Sequence, residues 1–416
     1  MKILFLSQYF PPEMGAPAAR VSELSKCWAQ AGERVTVVTT FPNHPNGVIP
    51  PEYRGMKFLK EETGGYTVLR SWIYIAANKG FFKRLVCFLS FMASSAFVGI
   101  FRAGKCDAVI ATSPQIFVGL SGWLVSVFKR RPFVLEVRDL WPDSAIQLKI
   151  LRNPFLIWLS RRLEHFLYRR AHLIVPVSES IRDEIRAHGI APERIELVPN
   201  GIDPDLFSPG ERDNEKRERL GIGRGDFLVS YIGTHGMSHG LDNVVEAAAL
   251  LKGRKDIHFV FIGDGARKEK LIALSQERAV ENLHFLPPQP KQQIPAWLAA
   301  SDVCLVSLLN LPVFNTVLPS KMFEIMACER PALMVGGGEC VKLVENAEAG
   351  IAVPPASPQE LADALVRLAQ EPERLREYGA NGRRYVLEHF NRGKLAQRYL
   401  DRLRTDFSPD PSAPCP

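Results

Sequence analysis

Apolar residues in this chain gather in runs of about three to five, each followed by a longer stretch of helical periodicity. Short runs that are apolar on both faces predict strands buried in parallel sheets, and the stretches between them predict covering helices. Five runs form a first series, at 3–6, 35–39, 108–111, 133–137 and 173–177. Six form a second, at 228–232, 258–262, 283–286, 303–306, 332–335 and 351–353. Two such series predict an α/β chain of two Rossmann-like domains. Turn-forming residues crowd 198–207, which sets the boundary near residue 200 and gives domains over 1–200 and 201–385. A capping box at Ser357 and Glu360 opens a helical C-terminal region. Its last helix, 386–407, is expected to pack back on the first domain, and the Pro-rich tail 408–416 to be disordered.

At 416 residues, 46% hydrophobic and 23% charged, the chain has the length of two domains and the composition of a folded enzyme. Its seven cysteines are scattered, with no Cys-x-x-Cys pair, which points to a reduced compartment and no structural zinc. Only four apolar residues separate Lys2 from Ser7, too few for a signal peptide, so a cytoplasmic location is expected.

Charge is divided unevenly. Residues 1–200 hold 26 Lys and Arg against 16 Asp and Glu, a net of +10, whereas residues 201–416 hold 26 against 29, a net of −3. The first half is therefore expected to meet an anionic partner. Within it, 85–101 is an uncharged apolar run flanked by Lys79, Lys83, Arg84, Arg102 and Lys105, at the lower limit for a membrane span. It reads as a helix packed in the domain with one face open to lipid. From Asn153, an expected N-cap, to Arg170 runs a basic amphipathic helix with Phe155, Leu156, Leu159, Leu163, Phe166 and Leu167 on one face. Such helices lie in membrane interfaces or pack on sheets.

Five loops, each following a strand or opening a helix, carry the candidate chemistry. The first, 9–17, precedes a helix over 18–31. Its Gly15 admits close approach of a ligand, but it has no Gly-x-Gly-x-x-Gly pattern, which argues against a nicotinamide enzyme. The second, 136–144, places Arg138, Asp139 and Trp141 at a strand's carboxyl end, suited to binding and orienting an acceptor sugar or phosphate; the alternative is an Arg138–Asp139 pair that ties down a turn. The third, 232–241, has a glycine frame around Gly233, Thr234, His235 and His239 that is expected to wrap a diphosphate, with His239 lending partial positive charge. The fourth, at Gly263, Asp264 and Gly265, joins 286–290 as a frame for a base. The fifth is 318–327, where Pro319 and Ser320 open a helix, Lys321 sets an ammonium beside its free amides and Glu324 follows one turn later. A carboxylate there accepts two ribose hydroxyls and the lysine neutralises phosphate, without a metal. Asp203 and Asp205 form an Asp-x-Asp, but in the interdomain turn they read as structural.

With these residues in view, the chain resembles glycosyltransferase family 4 from Met1 to about Thr405, nearest to the branch that transfers N-acetyl-L-fucosamine and related sugars. The resemblance is carried by 136–144, 198–207, the loop at Gly233 and 318–327. It implies a GT-B fold, two Rossmann-like domains facing across a cleft. It also implies a UDP-sugar donor, no cofactor, transfer with retention, and an undecaprenyl-diphosphate-linked acceptor in O-antigen or capsule synthesis. Nucleic acid is not an implied partner; the membrane surface, met peripherally at its inner face, is. The wider pattern has a Glu eight residues before Glu324, where this chain has Thr316. It has an Arg and a Lys in the third loop, where Thr234, His235 and His239 stand, and a His where Arg138 stands. Glu324 carries over directly, and Lys321 is expected to take over diphosphate charge. Two other readings remain: a nucleotide-sugar epimerase of the same shape, and a non-catalytic partner that binds nucleotide-sugar.

Overall fold

The computed structural model describes the chain apart from Met14, residues 44–46 and 76–80, Pro114, residues 408–416 and the side chains of Phe81 and Phe82. Met14 of the first loop, Lys79 and the C-terminal tail singled out above thus lie outside the described residues. The chain divides into two compact units, Met1–Pro199 with Gly393 onward, and Asn200–Arg392.

The first unit is a seven-stranded sheet. Its strands are β1 (Lys2–Leu6), β2 (Arg34–Thr40), β3 (Phe58–Thr63), β4 (Tyr66–Ser71), β5 (Ala108–Thr112), β6 (Phe133–Val137) and β7 (Leu173–Pro176). They lie in the order β3-β4-β2-β1-β5-β6-β7, and every pairing is parallel except the β3–β4 hairpin. Covering helices are α1 (Ala16–Gln30), α2 (Phe81–Phe101), α3 (Ile116–Lys129), α4 (Asp143–Gln147), α5 (Pro154–Arg170) and α6 (Glu179–Ala187). The hairpin was not in the sequence pattern. β3 is exposed along most of its length, and the buried Arg70 of β4 is hidden by its bonds to Glu61 (2.7 Å), Thr40 O and Pro11 O.

The second unit holds β8 (Phe227–Ile232), β9 (Ile257–Ile262), β10 (Leu283–Leu286), β11 (Val303–Ser307), β12 (Ala332–Val335) and β13 (Gly350–Val353), all parallel, in the order β10-β9-β8-β11-β12-β13. Its helices are α7 (Glu215–Leu220), α8 (Asp242–Leu250), α9 (Lys268–Glu277), α10 (Ile294–Ala300), α11 (Ser320–Ala327), α12 (Glu339–Asn346), α13 (Pro358–Ala369) and α14 (Pro372–His389). Each sheet reverses direction once, between β1 and β5 and between β8 and β11, and a doubly wound sheet binds ligands outside the carboxyl ends at that reversal.

Residues 386–407 are not one helix. α14 runs to His389, Phe390 packs on Phe323 (4.5 Å between ring centroids), and a new helix, α15 (Arg392–Phe407), begins beyond it. α15 lies in the first unit, where Tyr399 meets Trp28 edge-on at 5.2 Å and Trp28 Nε1 donates to Ala396 O. The turn at Asp203 is structural, with Oδ1 accepting from the amides of Asp205 and Leu206. Ser357 reaches Glu360 side chain to side chain (2.9 Å), without the backbone half of a capping box.

Candidate functional site

In the second unit the glycines after β8 and β9 are dictated by contact. Gly263 has φ +149°, and a Cβ there would lie 1.9 Å from Gly233 O; a Cβ on Gly265 would lie 2.5 Å from His235 O. The two loops are stitched by His235 N to Asp264 O (2.8 Å) and Arg267 N to His235 O (3.0 Å), and Lys268 Nζ donates to Gly263 O (2.7 Å) and Leu286 O. Ser307 Oγ, at the end of β11, donates to His239 O (2.6 Å), and Leu309 N to Ser238 O, so the β8 and β11 loops meet at the switch point. Beyond β12, Gly338 lies so close to Asn315 that a Cβ would fall 2.2 Å from its carbonyl oxygen.

Into this frame comes the start of α11. Pro319 is the N-cap, with no side-chain cap, and Met322 N turns back to Pro319 O. The amides at Ser320 and Lys321 are those a helix start leaves open for an anion. Lys321 Nζ stands 3.9 Å above the Tyr231 ring and within 2.5 Å of where a Cβ on Gly233 would be. The ammonium is buried and has no hydrogen-bond partner among the described residues. Burial pulls its pKa down to about 7, with the Glu324 carboxylate offsetting only part. A nitrogen held in this way over an aromatic face, in the first turn of α11, has a charged form that an anion would stabilise. Thr234 is exposed, and its carbonyl accepts from Tyr231 Oη (2.8 Å).

The expectation that His239 lends positive charge is overturned. Burial, then the Lys321 charge, lowers His239 to about 3; burial, then Lys268 and Lys321, lowers His235 to about 4. Both are neutral at physiological pH, and neither ring nitrogen of His235 has a partner. They are buried dipolar groups of the loop. Three participants were missed. Tyr231, under the ammonium, read as one more strand residue; Lys268 and Asn315 meet the loops only through the fold.

In the first unit, Arg138 and Asp139 follow β6. Arg138 is 8% exposed; its amide donates to Ser113 Oγ (2.7 Å), while Nε and Nη1 have no hydrogen-bond partner among the described residues. Burial, then the neighbouring Arg20, lowers its pKa to about 10, and burial raises that of Asp139. No ion pair within 4.0 Å joins the two among the described residues, although their charges attract one another. The pair that does fix this strand end is Arg20–Glu136, at 3.0 Å, with Arg20 also donating to Val198 O and Pro199 O. Asp139 and Trp141 share a small cavity with Glu164, whose carboxyl burial pushes up to about 7 and which accepts from Tyr168 Oη (2.9 Å). Glu164, unnoticed among the arginines of α5, is thus a further acid here. Gly15 caps α1 at φ +134° and lies in this unit, apart in sequence and unit from the glycine loops.

Helix α2 is long and apolar enough to cross a membrane, yet Cys87, Phe91, Ser95 and Val98 are buried. Its Val86, Leu89, Phe97 and Phe101 are exposed, as are Phe128 of α3 and Phe155, Trp158 and Leu159 of α5. Asn153 caps α5 as expected, accepting from Phe155 N and Leu156 N. The stripe of α5 is split, with Leu167 buried and Phe155 and Leu159 out. Six cysteines are free, and among the described residues no three His, Cys, Asp or Glu side chains cluster as a metal site would need.

Comparison with known proteins agrees with this architecture. A glycosyl transferase 4-like domain matches residues 15–201 and a glycosyl transferases group 1 domain matches residues 212–385, together most of the chain. The colanic acid biosynthesis glycosyl transferase WcaI of Escherichia coli (strain K12) is 26% identical over 412 residues, covering 97% of this chain and all of that protein. A sucrose-phosphate synthase from Thermosynechococcus elongatus superposes with a TM-score of 0.78 at 19% identity over 97% of this chain and 98% of that one. HepE from Anabaena, solved with UDP-glucose, does so at 0.73 and 18% over 97% and 100%. With its two doubly wound units of parallel sheet, the chain has the GT-B fold and belongs to the glycosyltransferases that join a 4-like domain to a group 1 domain.

Proposed function

We propose that this glycosyltransferase moves a sugar, N-acetylated amino or deoxy-amino, from a UDP-linked donor to an undecaprenyl-diphosphate-linked saccharide. The setting is bacterial surface polysaccharide synthesis, of O-antigen or capsule. Anomeric configuration is retained and no metal takes part. The observation that carries the reading is the unpaired Lys321 ammonium beside the open amides and Glu324 of α11, at the switch point of a glycine-stitched sheet. Full-length similarity to a colanic acid transferase supports the polysaccharide setting, and a fold neighbour solved with UDP-glucose supports the donor class. The exposed aromatic faces of α2 and α5, among the cations of the basic half, support peripheral contact with the inner face of the cytoplasmic membrane.

In this mechanism Glu324 accepts the ribose hydroxyls, and the helix start, Lys321 and the Gly233 loop receive the diphosphate. As the anomeric bond lengthens, charge builds on the leaving phosphate, and donors fixed in advance stabilise it, each worth about 3–4 kcal/mol when removed. Neutral His235 and His239 line the loop without competing for the anion. Asp139 orients the acceptor hydroxyl for attack on the face the leaving group vacates, and Arg138 holds acceptor phosphate or sugar.

The test is incubation of purified protein with an undecaprenyl-diphosphate-linked saccharide and a panel of UDP-sugars, with product lipids read by mass spectrometry. A mass gain of one sugar is expected with one donor. UDP-sugar binding without transfer to any lipid, or epimerised free nucleotide-sugar, would refute the proposal.

A further inference from the structure

We infer that the first unit carries a built site for the isoprenoid chain of the acceptor, in a cavity walled by α2, α3, α4 and α5. This inference rests on the acceptor class proposed above and assigns the lipid half of that acceptor to particular residues.

The cavity measures about 660 Å³, within the range of ligand pockets rather than packing defects. Phe88 and Leu89 of α2, Phe117 of α3, Leu148 just past α4, and Leu156 and Leu163 of α5 typify its wall. Of the residues lining it, Arg84 alone is ionisable. Ser144, Ser160, Trp141 and Arg84 are the polar side chains among sixteen lining residues, and so apolar a wall suits a flexible hydrocarbon better than a nucleotide or a free sugar. At about 30 Å³ per heavy atom, its volume holds roughly twenty carbons, or about four isoprene units.

Two features fix which end of such a chain lies where. Trp141 and Ile116 line this cavity and also the small one that contains Asp139 and Glu164, so the apolar site adjoins the acceptor loop. Arg84 is exposed at the edge of the apolar wall, stacked over Phe88 at 5.7 Å, and its charge acts on Tyr9 in the loop after β1. A cation on the rim of an apolar cavity that also borders the acceptor loop through Trp141 matches a lipid whose first isoprene unit carries a diphosphate. The net charge of +10 over residues 1–200 agrees in sign. The remainder of a long polyprenyl chain leaves past the exposed faces of α2 and α5.

The experiment is a chain-length series: diphosphate-linked acceptors with one, two, four, eight and eleven isoprene units, in detergent, with the acceptor KM read for each. KM is expected to fall at least tenfold between one and four units and then level off. Ala145→Trp, which fills the cavity from α4, is expected to erase that dependence while leaving the donor KM unchanged. As a readout independent of turnover and of any variant's folding, a benzophenone-bearing geranylgeranyl diphosphate is cross-linked to the wild-type protein and the adducts mapped. Labelling at Phe117, Leu156 or Leu163, displaced by geranylgeranyl diphosphate and not by inorganic diphosphate or phosphatidylglycerol vesicles, is expected. Transfer that proceeds with a KM indifferent to chain length, or labelling confined to the outer residues Phe97 and Phe128, would overturn the site while sparing the transferase. Equal displacement by the vesicles would make it a groove for bilayer lipid and overturn it too. Specific labelling with no transfer to any acceptor would sustain the site and sink the proposed function instead.

Discussion

Lys321 should make donor binding depend on pH in a way that no other group near it can imitate. Its ammonium is buried and unpaired, with a pKa of about 7 in the unliganded protein. A bound diphosphate favours the charged form and moves that pKa upward, so binding draws a proton from solution. The sign follows: affinity is complete below pH 7, where the lysine is already charged, and declines as pH rises from 7 towards the bound-state pKa. About half of the free protein is charged at pH 7 and about 1% at pH 9, so UDP affinity should fall roughly fifty-fold between them, or about 2.3 kcal/mol. His235 and His239, at about 4 and 3, are neutral throughout that window and contribute no slope. Tyr231 is raised further by burial and does not titrate there either. The assay is calorimetric titration with UDP at pH 7, 8 and 9 in two buffers of different ionisation enthalpy, which reports affinity and proton uptake together. Uptake should approach half a proton at pH 7 and one at pH 8.5, and Lys321→Met should abolish both slope and uptake. A wild-type affinity that is flat from pH 7 to 9, without uptake, would refute the claim that this ammonium meets the diphosphate.

The same buried charge predicts a trade of stability against function. Because Lys321 is depressed in the folded state, it destabilises the unliganded fold below pH 7, and that penalty fades as pH rises towards the ordinary lysine range. Lys321→Met should therefore raise unliganded stability at pH 6 by roughly 2–5 kcal/mol in a denaturant titration; a loss of stability would contradict the burial argument. Glu324→Gln should weaken UDP roughly ten- to hundred-fold and inorganic diphosphate far less, since it removes a ribose acceptor and touches the phosphates only through its charge on Lys321. Gly263→Ala forces a Cβ to within 1.9 Å of Gly233 O and should abolish UDP binding by parting the stitched loops, which a titration on protein with native far-ultraviolet dichroism would show. Asp139→Asn should lower kcat roughly 10²–10⁴-fold with UDP affinity intact, and a kcat within threefold of wild type would remove Asp139 from the mechanism.

What the sequence made legible was whatever is local. Eleven of the strands announce themselves because parallel strands buried on both faces need unbroken apolar runs, and the start of α11 does because Pro and Ser mark a helix N-terminus in adjacent residues. The β3–β4 hairpin escaped because its edge strand is exposed and its buried cation, Arg70, reads as a surface charge until Glu61 and the two carbonyls around it are seen. Helix α3 was not singled out because Gly119 and Gly122 look like breaks in a helix. They are contact points, where a Cβ would meet Leu167 at 2.9 Å and Ala111 at 2.5 Å.

The error over the histidines has the same origin and says the most about the site. A loop rich in Gly and His near an expected phosphate invites the reading that histidine is the cation, because an unburied imidazole is half charged close to neutral pH. Charge, however, is decided by what surrounds a group. His235 and His239 are enclosed by β8, β9 and β11 and face a lysine, so protonating either would bury a second positive charge beside the first. The site thus leaves its positive charge to two lysines, Lys268, whose ammonium is bonded to Gly263 O and Leu286 O, and Lys321, which is itself held near its point of ionisation. A pocket built this way is weakly charged when empty and fully charged when filled. If the diphosphate binds as proposed, the attraction is expressed when the anion arrives and relaxes as it leaves, which would favour release of the nucleotide product.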